Sequence, residues 1–166
     1  MFHPIDPKEL DFNPFAAIGE QWMLITAGNA DNANTMTASW GGVGVLWNKN
    51  TVTCYVRPQR YTREFIDANG YFSVSLLPEE YRKQLVYCGR VSGRDEDKIA
   101  GAGLTLRGDR QAPYFEEAGT GLICKKIYVG RIDPEGIQYD ELDAANYPQK
   151  DYHIVYIGEI VEALQK

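Results

Sequence analysis

Histidine and cysteine are scarce in this chain, whose 166 residues include two histidines and three cysteines. Two imidazoles are too few for a histidine-rich metal site. The three thiols, Cys54, Cys88 and Cys124, stand far apart, form no CxxC pair and are odd in number, which argues against a disulfide framework and against zinc. We therefore expect buried cysteines in a reducing compartment and no bound metal.

The sequence also lacks the short motifs that mark common catalytic sites. It contains no GxxxxGK(S/T) phosphate loop, no HExxH and no GxSxG. The glycine-rich stretch GGVGVLW, residues 41–47, lacks the third glycine of a dinucleotide-binding fingerprint and opens no predicted helix. A serine-hydrolase triad would have to use His153, for which no nucleophile elbow is evident. What remains is a pattern of anion recognition.

Long apolar runs and an excess of positive charge are absent as well. No stretch approaches the roughly 20 apolar residues of a membrane span, and the N-terminus MFHPIDPKEL lacks the features of a signal peptide. The net charge of −6 disfavours nucleic-acid binding. We expect a cytoplasmic protein without membrane or nucleic-acid partners. Residues 57–98 are locally basic, which indicates either a small anionic ligand or ordinary surface charge.

Strand patterns dominate what the sequence does contain. Apolar or alternating stretches predict six strands, at 21–28, 35–42, 51–58, 71–77, 122–132 and 152–164. Three helices are predicted in the middle of the chain, at 62–70, 78–89 and 92–103. Because strand–helix–strand alternation is missing, we expect an antiparallel sheet closed or folded on itself, in a single domain over residues 1–166. The acidic segment 133–150 is expected to be a loop.

One predicted strand is unusually polar. The stretch NTMTASWGG, residues 34–42, places Thr35, Thr37 and Ser39 on one side of the pleat. Three hydroxyls are poorly suited to filling a core, and no second sheet is predicted against which they would pack. They favour contact with a polar ligand.

Arginines beside a predicted helix start indicate phosphate binding. Arg57, Arg60 and Thr62 stand at the beginning of the helix predicted at 62–70. A helix N-terminus offers free N–H groups and a partial positive charge, to which arginines and a hydroxyl add donors. The alternative is that Thr62 only caps the helix and that the arginines are solvated.

The pattern recurs at a second predicted helix start. Ser92, Arg94 and Lys98 flank the beginning of the helix at 92–103, where Ser92 and Asp95 have the spacing of a capping box. Two such groups in one small chain favour phosphate binding over the alternative.

These stretches resemble, in order, the motifs of the flavin reductase-like, FMN-binding split-barrel family, which includes flavoredoxin. The matching segments are NTMTASWGG, YVRPQRYTREFI, CGRVSGRDEDKI and YHIVYIGEIVEAL. Each motif is weak alone, but their order is fairly specific, and the resemblance covers about residues 10–164. It implies a mainly β fold: a six-stranded antiparallel split β-barrel with a few peripheral helices, which forms a homodimer with FMN near the dimer interface.

The resemblance also assigns site residues. The isoalloxazine and ribityl chain would be lined by Met36, Thr37, Ala38, Ser39 and Trp40. The FMN phosphate would be held at the helix start by Arg60, Tyr61 and Thr62, with Arg57 beside them. Its phosphate or ribityl end would be approached by Ser92, Arg94 and Lys98. His153 would lie near the flavin, from the same or the other subunit, as the one candidate for a catalytic side chain, or would be a histidine satisfied at the dimer interface.

Three functions are open at this point. The first is an NAD(P)H-dependent flavin reductase, in which NADH or NADPH delivers hydride to FMN. The second is a flavoredoxin-like carrier that holds FMN permanently and exchanges electrons with a protein partner. The third is a split barrel that has lost the cofactor, against which the retained TMTASWG stretch, Thr62 and Lys98 argue.

Overall fold

The computed structural model describes all residues, 1–166, and is built mainly from antiparallel strands. The ten strands are β1 His3–Ile5, β2 Met23–Gly28, β3 Ala33–Ala38, β4 Gly41–Leu46, β5 Lys49–Val56, β6 Tyr71–Leu76, β7 Leu106–Arg107, β8 Tyr114–Phe115, β9 Thr120–Arg131 and β10 Ile154–Gln165. The four α-helices are α1 Thr62–Ala68, α2 Arg82–Arg90, α3 Lys98–Ala102 and α4 Asp140–Asn146. Single helical turns cover Pro7–Glu9, Ala16–Glu20, Glu79–Tyr81 and Pro134–Gly136.

The main sheet has the order β3-β2-β6-β9-β10-β5-β4, and β1 pairs with the end of β10. Its two edge strands, β3 and β4, are consecutive in the chain and are separated only by Ser39 and Trp40. The sheet therefore curls until its edges come together without pairing, as a split barrel does. The predicted fold class is confirmed, with ten strands instead of the expected six. Residues 41–46 form β4 instead of ending β3, and the short strands β1, β7 and β8 were not predicted.

Gly41 lies at a crowded point of the curled sheet. A Cβ atom at this position would lie 2.6 Å from the main-chain oxygen of Thr53 on β5 and 2.9 Å from Cε of Met23 on β2. Strands from both halves of the sheet thus approach each other directly after Trp40. Only glycine fits this approach without a shift of its neighbours.

Both faces of β2 pack against buried hydrophobic clusters. Ile25 belongs to the cluster of seventeen buried residues inside the barrel, whereas Leu24 belongs to a second cluster together with Leu85 of α2 and Phe115. All six residues of β2 are buried, as predicted for 21–28. The three cysteines are buried as well, as expected, and burial raises the pKa of Cys54 to about 12.

The polar side of β3 faces the helices. The Thr35 hydroxyl lies 2.9 Å from that of Thr26 and donates to the main-chain oxygen of Ile25. The Thr37 hydroxyl donates to the main-chain oxygen of Leu85 in α2. The unusual composition of NTMTASWGG therefore has a structural reason at Thr35, which bonds to β2, and at Thr37, which bonds to α2, whereas Ser39 lies beyond the end of β3.

Two predicted helix caps are wrong. Thr62 does not cap α1 with its side chain, because its hydroxyl accepts a hydrogen bond of 2.8 Å from Nδ2 of Asn34. The capping box of Ser92 and Asp95 does not form, because α3 begins later, and the carboxylate of Asp97 accepts the N–H of Ala100.

The segment 133–150 is not the expected loop, because α4 forms within it. The first turn of α4 carries three acids, which suits a helix N-terminus. None of its residues is buried. No helix in the structure combines the length and the apolarity that crossing a membrane requires.

Candidate functional site

A cavity of about 480 Å³ lies beside the split between β3 and β4, and we call it the slot. Eight residues that the sequence predicted for the cofactor site line it: Met36, Thr37, Ala38, Ser39, Trp40, Arg57, Arg60 and His153. The slot also contains Tyr55 and Gln59, which sequence reasoning missed. Tyr55 lies on β5, two residues before Arg57, which directly follows the strand. Residues two apart in an extended chain share a face, so this spacing could have identified Tyr55 as a site residue.

Aromatic rings form one wall of the slot. Trp40 is 46% exposed, and its ring centroid lies 5.1 Å from that of His153, at an interplanar angle of 52°. Tyr55 meets the same imidazole edge-on at 6.5 Å. The exposed Trp40 ring offers a planar ligand one flat aromatic face.

Tyr147 orients the His153 imidazole. The Tyr147 hydroxyl oxygen lies 2.8 Å from Nδ1 of His153, and His153 is only 5% exposed. Burial raises the pKa of Tyr147, while Arg57 and the main-chain N–H of His153 lower it. When the Tyr147 hydroxyl donates to Nδ1, the ring hydrogen of the neutral imidazole lies on Nε2.

We expect His153 to remain neutral at physiological pH. Burial, followed by the positive charge of Arg57, lowers its pKa from 6.5 to about 4. Between these values the unfolded chain binds more protons than the folded one, so the free energy of unfolding should fall as the pH falls from 6.5 to 4. An NMR titration of the imidazole measures this pKa directly. His153→Gln should flatten the pH dependence of the free energy of unfolding. A titration midpoint between 6 and 7 for the wild-type imidazole would contradict the lowered pKa of His153.

The slot carries an incompletely neutralised positive charge. Arg57 forms an ion pair of 2.8 Å with Asp151 and donates to the main-chain oxygen of Asn146. Arg60 takes part in none of the ion pairs, and its guanidinium donates to the main-chain oxygens of Gly89 at 2.9 Å and Thr37 at 3.4 Å. Burial and the neighbouring Arg57 lower the pKa of Arg60. A bound anion would relieve this repulsion.

Five predicted site residues lie outside the slot: Tyr61, Thr62, Ser92, Arg94 and Lys98. Arg94 pairs with Glu64, stacks 4.6 Å above the Tyr61 ring and donates to the main-chain oxygen of Gln59, at the border of the slot. The Ser92 hydroxyl accepts the main-chain N–H of Arg94 and so shapes its own turn.

Lys98 has a structural role in this arrangement. Its ammonium group is buried and donates to the main-chain oxygens of Cys88 at 3.0 Å and Val91 at 3.1 Å, which lie at the C-terminal end of α2. Burial lowers its pKa to about 8. Lys98 lines a cavity of about 270 Å³ together with Tyr61 and three acids, Asp31, Glu96 and Asp97, and it does not line the slot.

Comparison with known proteins agrees with this architecture. Residues 15–166 match the model of the flavin reductase like domain family. No curated protein matches the chain.

Three solved structures illustrate the shared fold. An FMN-binding domain of a flavin reductase-like enzyme from Shewanella baltica superposes with a TM-score of 0.71 at 18% identity, over 99% of this chain and 77% of that one. Flavoredoxin of Desulfovibrio vulgaris (Miyazaki F) gives 0.66 at 25% identity, over 87% and 69%. An NADH:FAD oxidoreductase of Streptomyces globisporus, in complex with NAD and FAD fragments, gives 0.66 at 18% identity, over 88% and 69%.

Proposed function

Because the chain belongs to the flavin reductase-like domain family, we propose that it binds FMN in the slot and moves hydride or electrons between NAD(P)H and this flavin. The observation that carries the proposal is the slot itself. It joins an aromatic wall, a free strand edge and an arginine without a carboxylate partner. Each of these features suits a different part of FMN.

The aromatic wall and the edge of β3 suit the ring system. β3 pairs only with β2, so alternate main-chain N–H and C=O groups on its free side have no strand partner. Such groups can hydrogen-bond the polar edge of an isoalloxazine, while Trp40 covers a face of the ring. The Thr37 hydroxyl uses its hydrogen within the protein, so it offers a ligand only an acceptor.

The arginines suit the phosphate. The phosphate of FMN carries about two negative charges near neutral pH, by analogy with phosphorylated side chains. Arg60 is the cation best placed to neutralise it, and Arg57 adds to the positive field from the same wall. Arg94 donates a hydrogen bond to the main-chain oxygen of Gln59, a residue that lines the slot. Lys98, by contrast, already donates to a main-chain oxygen of α2.

The protein's part in the reaction is orientation. Bound FMN would supply the hydride and electron chemistry, for which no acidic or basic side chain is required. Neutral His153 presents Nε2–H as a hydrogen-bond donor from the slot wall, held in place by Tyr147. In this proposal it positions the nicotinamide or the flavin rather than transferring a proton.

A flavoredoxin-like carrier is the second candidate, favoured by the 25% identity to flavoredoxin. Two experiments distinguish the reductase from the carrier: adding NADH or NADPH to the purified protein with FMN, and dialysing the protein–FMN complex. Rapid, FMN-dependent oxidation of the nicotinamide with exchangeable flavin supports the reductase. FMN that survives dialysis without nicotinamide oxidation supports the carrier, which would need an electron-transfer protein partner. Failure to bind FMN at all contradicts both.

We also propose a homodimer. The edge strand β4 and the turn after it expose apolar side chains, with Val45 73% and Trp47 62% exposed. A second copy of the chain would cover this surface and the adjoining split. Sedimentation velocity should then give twice the mass of the 18.7 kDa chain, and a monomer at micromolar concentration would contradict it.

A further inference from the structure

We propose that a cleft beneath α4 is a binding site for a small uncharged ring compound, next to the slot. The cleft measures about 550 Å³, within the range of small-molecule pockets, and Trp40 forms part of both its wall and that of the slot. The inference goes beyond the proposed function, because the cleft is complete without a flavin.

Apolar side chains line most of the cleft. Ile132, Ile137 and Leu142 contribute aliphatic surface, and Tyr139 and Trp40 contribute aromatic surface. Tyr139 is 62% exposed and Leu142 is 51% exposed. Removing this surface from water is the main free energy available to a ligand, at roughly 25 cal/mol per Å².

The absence of charged side chains in the lining determines the kind of ligand that fits the cleft. No acidic or basic side chain lines the cleft, whereas Arg57, Arg60 and His153 line the slot. Arg57, which contacts the lining residues Asn146 and Tyr147, is already paired with Asp151. An anion entering the cleft would therefore lose its hydration without gaining an unpaired cation, which is costly. The cleft is therefore unsuited to phosphate or carboxylate groups, and an uncharged ring fits it best.

The cleft has a buried residue at its base and an exposed helix on its other side. Tyr147 lies at its base, 6% exposed and hydrogen-bonded to His153. By contrast, α4 has no buried residue and is held at its C-terminal end, where Arg57 donates to the Asn146 carbonyl and Lys150 pairs with Asp143. A ligand would pack between Trp40 and the exposed side of α4 and would complete a contact that the chain alone leaves open.

Calorimetry with a matched pair of probes tests the cleft. 2-Naphthol is uncharged at neutral pH, and 2-naphthoate carries the same rings with a carboxylate. Each is titrated into the whole protein, first without FMN and then with FMN at saturation, against a blank containing FMN alone. We expect 2-naphthol to bind in both conditions, and 2-naphthoate to bind at least about tenfold more weakly, because its charge is unpaired in the cleft.

Two variants locate the binding. Leu142→Asp places a charge in the cleft and should weaken 2-naphthol binding by about tenfold or more. Ala144→Asp adds the same charge to the same helix about 200° away, at an exposed position outside the lining, and should leave binding unchanged. Circular dichroism and FMN titration of both variants show whether the fold and the slot persist.

Two outcomes would overturn the proposal: the absence of 2-naphthol binding, and equal binding by Leu142→Asp and wild type. If 2-naphthol does not bind and the wild-type dimer dissociates in Leu142→Asp, the cleft is a subunit contact. Failure of FMN to bind would instead contradict the proposed function. The titration without FMN would still show whether the cleft binds 2-naphthol.

Discussion

Replacing Arg60 with alanine is expected to weaken FMN binding by roughly 10- to 150-fold. This factor corresponds to the roughly 1.5–3 kcal/mol that a hydrogen bond to a charged group contributes. Arg60 is the guanidinium of the slot that no carboxylate neutralises, so its charge is available to a phosphate. An equilibrium titration of FMN fluorescence at fixed ionic strength measures the effect, which should shrink as salt is added.

Arg63→Ala is the matched control for this variant. Arg63 lies three residues further along and pairs with Asp67 at 3.2 Å, and it does not line the slot. It should bind FMN within about twofold of wild type. Because Arg60 also ties Gly89 to Thr37, thermal unfolding of both variants must show that the fold persists. Equal FMN affinities of the folded Arg60→Ala variant and wild type would remove Arg60 from the site.

Replacing Gly41 with alanine is expected to destabilise the fold by about 1–3 kcal/mol, the range typical of overpacking a tight site. The added Cβ would lie 2.6 Å from the main-chain oxygen of Thr53. Thr53 is paired on both sides, with Gly42 of β4 and Ile157 of β10, so its oxygen cannot retreat without breaking the sheet. For a chain of this size the melting temperature should fall by roughly 2–12 °C.

Gly42→Ala provides the comparison. A Cβ atom at Gly42 would meet nothing within 4 Å, and the residue lies in the same strand beside Gly41. Its melting temperature should stay close to that of wild type or rise slightly, since alanine restricts the unfolded chain. Because Trp40 directly precedes Gly41, the Gly41→Ala variant should also bind FMN more weakly. Equal melting temperatures of the two variants would show that the barrel edges are not tightly apposed there.

The sequence predicted the fold well where periodicity and turn residues agree. The hairpin of β2 and β3, the helix after Pro58 and the two long late strands follow from local patterns, and the family and the mainly β fold are confirmed. β4 was missed as a separate strand because its glycines are typical of strand ends. The reason for Gly41 is close approach to neighbouring strands, which is a tertiary property.

Tertiary contacts engage two of the predicted site residues, whose part in binding FMN stays a prediction. Thr62 was predicted to cap its own helix, but Asn34, 28 residues earlier in the chain, takes its hydroxyl. Lys98 has the local setting of a phosphate ligand, yet burial commits it to the carbonyls of α2. A local pattern identifies residues that are able to bind an anion, whereas only the packed structure decides which of them remain free.

The α4 segment shows the opposite case, in which a local signal existed and was outweighed. Asp140, Glu141 and Asp143 suit a helix N-terminus, and the residues after them favour a helix. The acidic composition of 133–150 was the reason for predicting a loop. The cleft that this segment forms with Trp40 depends on contacts far apart in sequence and could not have been predicted.

The crystal structure of the protein with FMN tests the central claim most directly. We predict the isoalloxazine in the slot, against Trp40 and along the free edge of β3, with the phosphate within hydrogen-bond distance of Arg60 and the Nε2 atom of His153 facing the ligand. A flavin bound elsewhere, or a phosphate seated in the cavity beside Lys98 with Arg60 still bonded only to Gly89 and Thr37, would contradict the account.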